Sequence, residues 1–248
     1  MAGGGEAWCR VLSVTQARDD RREILSKMFL FSELAPRDLE LLADYTTRKQ
    51  VAARSELFHK GDAAGEAYGI VSGRLKAVSR SPEGKEVTFS IMERGEVFGE
   101  VALLSGKART ATVIALEASE LLVIGRRELM HLLEREPKLA VNCMNALATR
   151  LLALTERMEE TLFLRMPSRL ARKLLELANA YGAPSGEEIR LQLKLSQAEL
   201  GNLIGTSRES VNKQLGLWEQ DGVVRRDGRE LVLLDSHVLE DVADAIDV

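Results

Sequence analysis

The segment GEVALLSGKARTATV, residues 99–113, is the most informative stretch of the sequence. Gly99 allows a ligand to approach the backbone closely, and the apolar turn that follows it offers free backbone N–H groups. Glu100 can accept a hydrogen bond from a ribose hydroxyl, while the guanidinium of Arg109 can meet a phosphate with two parallel hydrogen bonds. The segment therefore predicts a site for a cyclic nucleotide monophosphate. The candidate ligand-binding residues in it are Gly99, Glu100, Val101, Ala102, Arg109 and Thr110.

The sequence around this segment predicts an antiparallel β-roll, similar to a jelly roll, in a domain of residues 22–136. Between residues 46 and 125, short β-branched runs alternate with glycines, which is typical of strands joined by turns. Short helices broken at Pro36 are predicted before these strands. Residues 1–21 are expected to form a flexible arm. With the helices that follow, the fold class is α+β.

A long helix is predicted over residues 137–164. Pro137 suits a first helical turn, and no glycine or proline follows until Pro167. Apolar residues recur from Ala140 with the 4-3-4-3-4 spacing of a coiled-coil seam. Pairing of this stripe with a second copy predicts a symmetric dimer; the alternative is a helix packed on its own domain. The predicted dimer seam comprises Met144, Leu147, Leu151, Leu154 and Met158.

Two capping-box patterns predict a helix-turn-helix in a domain of residues 165–248. They are SQAE at residues 196–199 and TSRE at residues 206–209, with a glycine turn between them. The second helix places Val211 and Leu215 on one face and arginine, acid, amide and lysine side chains on the other. A helix of this kind is typical of one that enters a major groove. The candidate DNA-binding residues are Gln197, Ser207, Arg208, Glu209, Ser210, Asn212 and Lys213.

A hairpin predicted over residues 223–234 adds a wing beside this helix. The Asp-Gly pair at 227–228 is a two-residue turn signal. Arginines near its tip can grip phosphates through salt-dependent contacts. A helix over residues 168–180 and a turn-rich loop over residues 182–186 precede the helix-turn-helix. The arginines of the wing are Arg225, Arg226 and Arg229.

Each of these side chains also has a plainer interpretation. Glu100 can be a surface acid beside a turn, and Glu209 can simply close its capping box. Arg208 and Lys213 can belong to an ordinary solvated face. Residues 165–248 carry more acidic than basic residues, which weighs against DNA binding, although acids near the end of the chain account for part of this excess.

The overall composition excludes several classes of protein. The chain has a net charge of −4, no apolar run long enough to span a bilayer and no signal peptide, so we expect a cytoplasmic protein. Cys9 and Cys143 do not form a disulfide framework. The three histidines have no metal-binding spacing, and no catalytic constellation stands out, so we expect neither a metal site nor an enzyme.

The segment from Glu100 to Arg109, the long helix and the SRESV motif at residues 207–211 occur in the order found in the CRP/FNR family of bacterial transcription regulators. The chain resembles the cyclic AMP receptor protein branch of this family from about residue 27 to about residue 235. The resemblance implies cAMP or cGMP as ligand, a homodimer, palindromic double-stranded DNA as partner, and RNA polymerase as a further candidate partner. It also implies that Ser90 lies near the base of the ligand.

Two departures from the family pattern bear on specificity. The family contacts adenine through a Thr-Ser pair on the long helix, where this chain has Leu154 and Thr155. One hydroxyl is lost, which weakens discrimination between adenine and guanine and leaves cGMP open. Lys213 stands where the family pattern has an arginine. A lysine ammonium, which is a point charge, therefore replaces a guanidinium that can donate two parallel hydrogen bonds.

The sequence as a whole predicts a ligand-controlled DNA-binding regulator. Nucleotide contact at Thr155 is expected to reorient the recognition helices through a hinge at Phe163, Leu164 and Arg165. Three alternatives stay open: a cyclic-nucleotide module that regulates a protein partner, a CRP/FNR-type regulator that senses a different ligand, and an enzyme acting on a nucleotide.

Overall fold

A computed structural model describes residues 14–186, 188–227 and 230–245, with side chains from residue 18 onward. Its contacts divide the chain into two units, one of residues up to Lys76 with Ile91–Leu147, and one of Ala77–Ser90 with Ala148–Val248. No helix in these described ranges is long and apolar enough to cross a membrane.

The helices and strands are grouped into runs along the chain, as is typical of an α+β fold. The helices are α1 (Val14–Ser26), α2 (Pro36–Tyr45), α3 (Glu100–Ser105), α4 (Arg126–Arg135), α5 (Pro137–Phe163), α6 (Met166–Tyr181), α7 (Gln197–Ile204), α8 (Arg208–Gln220) and α9 (Ser236–Asp244), with a short 3-10 helix at Phe29–Phe31. The strands are β1 (Thr47–Val51), β2 (Glu56–Phe58), β3 (Glu66–Ser72), β4 (Leu75–Arg80), β5 (Glu86–Met92), β6 (Val97–Phe98), β7 (Thr112–Ala115), β8 (Ser119–Gly125), β9 (Gly182–Ser185), β10 (Glu188–Leu191), β11 (Val224–Asp227) and β12 (Glu230–Leu233).

The predicted antiparallel β-roll is confirmed. One sheet has the strand order β1-β8-β3-β6 and the other β2-β7-β4-β5, and β8 pairs antiparallel with both β1 and β3. Strand β8 is buried on both faces: Leu122 and Ile124 lie on one face, Leu121 lies on the other, and all three are fully buried. The helices α1, α2 and α4 contribute to the same apolar core.

The flexible arm expected over residues 1–21 is wrong for residues 14–21, which belong to α1. This helix packs on α2: the Arg21 Nε donates to the carbonyl of Ala43 at 2.8 Å, and Arg22 Nη1 lies 3.4 Å from the Glu40 carboxylate. Leu25 is fully buried in the core. These tertiary contacts order a segment whose polar composition alone gave no reason to expect a helix; residues 1–13 lie outside the described residues.

The uninterrupted long helix is confirmed as α5. It ends at Phe163, and α6 begins at Met166 with Arg165 as its extended N-cap. The break therefore falls at residues 164–165, inside the segment expected to act as a hinge.

A winged helix-turn-helix is confirmed in the second unit. Helices α7 and α8 are joined at Gly205, whose φ of +70° is left-handed. A Cβ on Gly201 would lie 2.7 Å from the Thr206 carbonyl, so only glycine permits this close turn. The strands β11 and β12 form the predicted hairpin within a sheet of order β11-β12-β10-β9.

Three local expectations for this unit differ from the structure. The loop expected at residues 182–186 is mostly strand β9, and Pro184 is tolerated there because β9 is an edge strand. The second helix is capped by Ser207, which accepts from Ser210 N at 3.2 Å; Thr206 belongs to the turn, where its N–H donates to Gly201. Asp227 ends β11 and pairs with Glu230, so it is not a turn residue; Gly228 and Arg229 lie outside the described residues.

Candidate ligand site and nucleic-acid interface

Arg109 is a buried cation in the first unit. It lies in the irregular segment between α3 and β7, and only 5% of the residue is exposed. Its Nη1 donates to the Gly99 carbonyl at 3.1 Å and its Nη2 to the Glu66 carbonyl at 2.7 Å. Two backbone carbonyls therefore hold the guanidinium from the side of β3 and the start of α3.

An aromatic layer covers the guanidinium. The Arg109 Cζ lies 4.2 Å from the centre of the Phe58 ring and 5.5 Å from that of Tyr68, and Tyr68 stacks on Phe98 at 5.4 Å between ring centres. This layer and the carbonyl of Glu66 were not predicted from the sequence. Aromatic residues recur in the short strands, but it takes the pairing of β3 with β6 and of β2 with β7 to bring them to Arg109.

The positive charge of Arg109 has no carboxylate partner within the part of the chain that the structure describes. Its Nε is buried and makes no hydrogen bond there. Burying an ionised group is costly unless the charge is paired, and buried donors are nearly always satisfied. Arg109 is therefore a buried positive charge that the described residues leave without an anionic partner.

The segment before Arg109, where the sequence predicted an apolar turn, forms the short helix α3. Gly99 caps α3 with a φ of +82°, and a Cβ there would lie 2.7 Å from the Arg109 Nη1. Glu100 and Ala102 are buried at the start of α3, whereas Val101 is partly exposed and Thr110 is exposed. The first N–H groups of a helix lack intrahelical acceptors, so α3 adds donors next to the guanidinium.

Two side chains in this unit, Tyr68 and Cys143, have raised pKa values. Burial, together with its hydrogen bond to Glu66 at 2.8 Å, raises the pKa of Tyr68 to about 12. Burial and then the charge of Glu100 raise the pKa of the Cys143 thiol to about 11. Both groups are therefore neutral at physiological pH, so the Tyr68 ring beside Arg109 carries no negative charge.

The remaining candidate ligand residues belong to the second unit. Ser90 is half-buried in β5, and Leu154 and Thr155 are exposed on α5. The Thr155 hydroxyl donates to the Leu151 carbonyl one turn earlier, at 3.0 Å. A ligand that uses this hydroxyl as a donor must compete with that bond.

The predicted seam of α5 is an exposed apolar stripe in the single chain. Leu147 is half-buried, whereas the other four members have at least half of their surface exposed. An unburied stripe of this length at heptad spacing is what a partner helix covers.

The two faces of α8 are separated as the projection predicted. Val211, Leu215 and Trp218 are buried. The opposite face is solvent-exposed and includes Arg208, Glu209, Asn212 and Lys213, while Ser207 is exposed and Ser210 and Gln197 are half-buried. Hydrogen bonds from the backbone N–H of Glu209 itself and then from the Ser207 hydroxyl lower the pKa of the Glu209 carboxyl. This carboxylate is therefore ionised and engaged with the start of its helix.

The wing arginines Arg225 and Arg226 are paired with carboxylates, whereas the sequence predicted cations available to phosphate. Arg225 makes two hydrogen bonds to Glu188, at 3.1 and 2.8 Å. Arg226 pairs with Glu219 of α8, and its Nε–Oε2 distance is 2.9 Å. The pKa of each carboxylate is lowered by the guanidinium that it accepts from. The charge of each arginine is thus balanced by a carboxylate of the same domain.

Two family models match successive parts of the chain. The sequence model of the family described as Cyclic nucleotide-binding domain matches residues 48–136, and that described as Crp-like helix-turn-helix domain matches residues 168–242.

Relatives align along nearly their whole length. The chain is 28% identical to the CRP-like cAMP-activated global transcriptional regulator of Mycobacterium tuberculosis over 217 residues, 88% of this chain and 97% of that protein. It is 30% identical to the cyclic AMP receptor protein of Thermus thermophilus over 214 residues, 86% of this chain and 96% of that protein. Among solved structures, the c-di-GMP-responsive global regulator CLP of Xanthomonas campestris matches with a TM-score of 0.72 at 26% identity, over 81% of this chain and 100% of that one. With both domains present in this order, the chain belongs to the CRP/FNR family of transcription regulators.

Proposed function

We propose that this regulator acts as a homodimer whose affinity for palindromic DNA is set by a cyclic nucleotide bound at Arg109. The observation that carries the ligand proposal is the buried guanidinium, which has a carbonyl on each terminal nitrogen, no carboxylate partner among the described residues and an unbonded Nε. A cyclic phosphate carries one negative charge and two exocyclic oxygens, which match this donor set.

The rest of the ligand follows from the neighbouring groups. The N–H groups at the start of α3, including those of Val101 and Ala102, and the hydroxyl of exposed Thr110 would donate to the same phosphate. Glu100 would accept from the ribose 2′-hydroxyl. Ser90, Leu154 and Thr155 would contact the base.

We propose cAMP as the first candidate ligand because the two aligned relatives are named for it. The alternative is cGMP, because Leu154 replaces one of the two hydroxyls that would face the purine. Cyclic di-GMP is a necessary comparison, since a structural neighbour is described as responsive to it.

The switch would work as a population shift. A nucleotide that has a higher affinity for one arrangement of α5 than for another would shift the equilibrium between them, because differential affinity is what moves such an equilibrium. The break between α5 and α6 at residues 164–165 would absorb the reorientation of the recognition helices. Contact with RNA polymerase stays a prediction from family resemblance.

Titration calorimetry with cAMP, cGMP and cyclic di-GMP, each with and without a palindromic duplex, tests the proposal. Linkage requires that a nucleotide which strengthens DNA binding by some factor is itself bound more tightly by the same factor in the presence of DNA. Equal nucleotide affinity with and without DNA contradicts the switch.

The alternative of a module that regulates a protein partner predicts no binding to DNA. A gel-shift series at rising salt separates the two, because DNA binding through cationic contacts weakens steeply with salt.

A further inference from the structure

Arg226 connects the wing to the recognition helix. Its backbone N–H donates to Glu219 Oε1 at 2.9 Å, and its Nε donates to Glu219 Oε2 at 2.9 Å. Its Nη1 reaches further along α8 and donates to Asn212 Oδ1 at 2.7 Å. Less than a third of the Arg226 side chain is exposed. One guanidinium therefore joins β11 to two residues that lie seven positions apart on α8.

This contact determines which way the Asn212 amide points. A guanidinium has only donors, so the amide atom that faces it must be the carbonyl oxygen. The amide nitrogen then points away from Arg226. No other residue in the described ranges accepts a hydrogen bond from it, and Asn212 lies on the exposed face of α8 with Arg208 and Lys213.

We propose that Arg226 is a positioning residue for base recognition: it holds the Asn212 amide with its two N–H donors toward the major groove, where they require an acceptor on the contacted base. Guanine, adenine and thymine offer O6, N7 or O4 in this groove, whereas cytosine offers a donor, N4–H. The arrangement therefore rejects cytosine at one position of each half-site. This inference rests on the proposed DNA-binding function and deepens it.

The competing role for Arg226 is a contact to phosphate. Its charge is already balanced by Glu219, and the neighbouring Arg225 is balanced by Glu188 in the same way. A phosphate contact adds affinity that is independent of sequence and raises the salt dependence, whereas a positioning role changes the preference for bases. The two roles thus have different experimental signatures.

The test is selection of bound duplexes from a pool randomised on both sides of a fixed two-fold axis, with saturating cAMP and, separately, without nucleotide. The variant that releases the amide is Arg226→Met combined with Glu219→Gln, which leaves the net charge unchanged. The matched control is Arg225→Met with Glu188→Gln, an adjacent ion pair whose hydrogen bonds join β11 to β10. Dimer mass and thermal melting check that each variant is folded.

Wild type and the control pair are expected to disfavour cytosine about fivefold to tenfold at one position, as a single base contact allows. The Arg226 pair variant and Asn212→Ala should both lose this preference, and combining them should add nothing. Asn212→Asp presents an acceptor instead of donors, so it should shift the preference toward cytosine at the same position.

Retention of the wild-type base preference by the Arg226 pair variant, with only a changed salt slope, overturns the proposal. An Asn212→Asp variant that shows no shift toward cytosine also overturns the proposal. This second test remains valid even if the Arg226 pair variant does not fold. A wild-type protein that binds no duplex in the pool instead refutes the proposed DNA-binding function, which distinguishes the two failures.

Discussion

At the scale of single residues, the environment of Arg109 is the feature that matters most. Carbonyl dipoles and an aromatic face stabilise its charge only in part, because no carboxylate in the described portion of the protein forms an ion pair with it. In a site of low dielectric, an incoming phosphate interacts with such a charge far more strongly than in water.

Replacing Arg109 with methionine should therefore separate ligand binding from folding. We expect nucleotide binding to weaken by about 3 kcal/mol, roughly a hundredfold in Kd, because charge-assisted hydrogen bonds are lost. The ligand-free Tm should be unchanged or higher, since an uncompensated buried charge is removed. Calorimetry and thermal melting measure the two effects, and Lys107→Met, which removes an exposed cation from the same turn, is the control. Unaltered nucleotide affinity in Arg109→Met would place the ligand elsewhere.

Two glycines that flank α3 allow backbone strain to be distinguished from displacement of Arg109. Gly99 and Gly106 both have positive φ, but only at Gly99 would a Cβ meet the guanidinium. We expect Gly99→Ala and Gly106→Ala each to lower stability by about 1–2 kcal/mol, while Gly99→Ala alone weakens nucleotide binding. Denaturant melts and calorimetry give the comparison. Equal binding losses in both variants would show that strain, not the clash, is responsible.

At the scale of secondary-structure elements, α5 presents a face that its own chain leaves open. Leu151 and Leu152 are each 65% exposed, yet only Leu151 lies on the heptad stripe. The pattern therefore assigns different roles to two neighbours of equal exposure.

Leu151→Glu is expected to dissociate the dimer, whereas Leu152→Glu should leave it intact. Each buried leucine contributes about 2 kcal/mol, and the substitution occurs twice in a symmetric interface. Analytical ultracentrifugation across a concentration series measures the dimer dissociation constant. Dissociation by both substitutions, or by neither, would mean that the seam has another register or that the helix packs on its own domain.

The wing is held by ion pairs whose acid sensitivity can be predicted. Hydrogen bonds from Arg225, Arg226 and Arg190 lower the pKa of Glu188, Glu219 and Glu230, respectively. Because these values lie below those of the unfolded chain, the stabilisation is present above about pH 4.5, the ordinary glutamate range, and is lost as pH falls through the lowered native values.

We expect the thermal midpoint of the second unit to fall as the pH is lowered from 6 to 3, and to fall less in Glu188→Gln with Arg225→Met. Fluorescence of the buried Trp218 in a Trp8→Phe background follows this unit. Identical pH dependence in both proteins would show that this ion pair contributes nothing measurable, as is common for exposed pairs.

At the scale of the whole molecule, the proposed function requires two copies. A dimer with two-fold symmetry presents two recognition helices to one face of DNA, so the half-sites must lie about one helical turn, roughly 34 Å, apart. A single domain would bind one half-site weakly. Dimerisation through the α5 seam would raise the overall affinity for DNA, because it links two such domains.

Insertion of about 5 base pairs between the half-sites should abolish tight binding, because it rotates one half-site by half a turn. Gel shifts with the native and the lengthened duplex at fixed salt measure the effect. The Leu151→Glu variant is the control, since a protein that cannot dimerise should bind both duplexes equally weakly. Tight binding of wild type to both duplexes would contradict a rigid dimer.

The sequence by itself determined the order of domains, the uninterrupted α5, the turn at Gly205 and the buried face of α8. These features depend on periodicity, caps and glycine, which act over a few residues. The sequence also identified Arg109 as the candidate phosphate ligand, because a guanidinium near a glycine turn is a local signal.

Only the tertiary structure decided what surrounds those residues. The helix at residues 14–21 exists because α2 supplies partners for its arginines. The aromatic layer over Arg109 forms through strand pairing between distant segments. Arg226 was expected to face phosphate, but the packing of the wing on α8 directs it to Glu219 and Asn212 instead. Contacts between residues far apart in the chain carry no local pattern, so they become visible only when the fold brings the partners together.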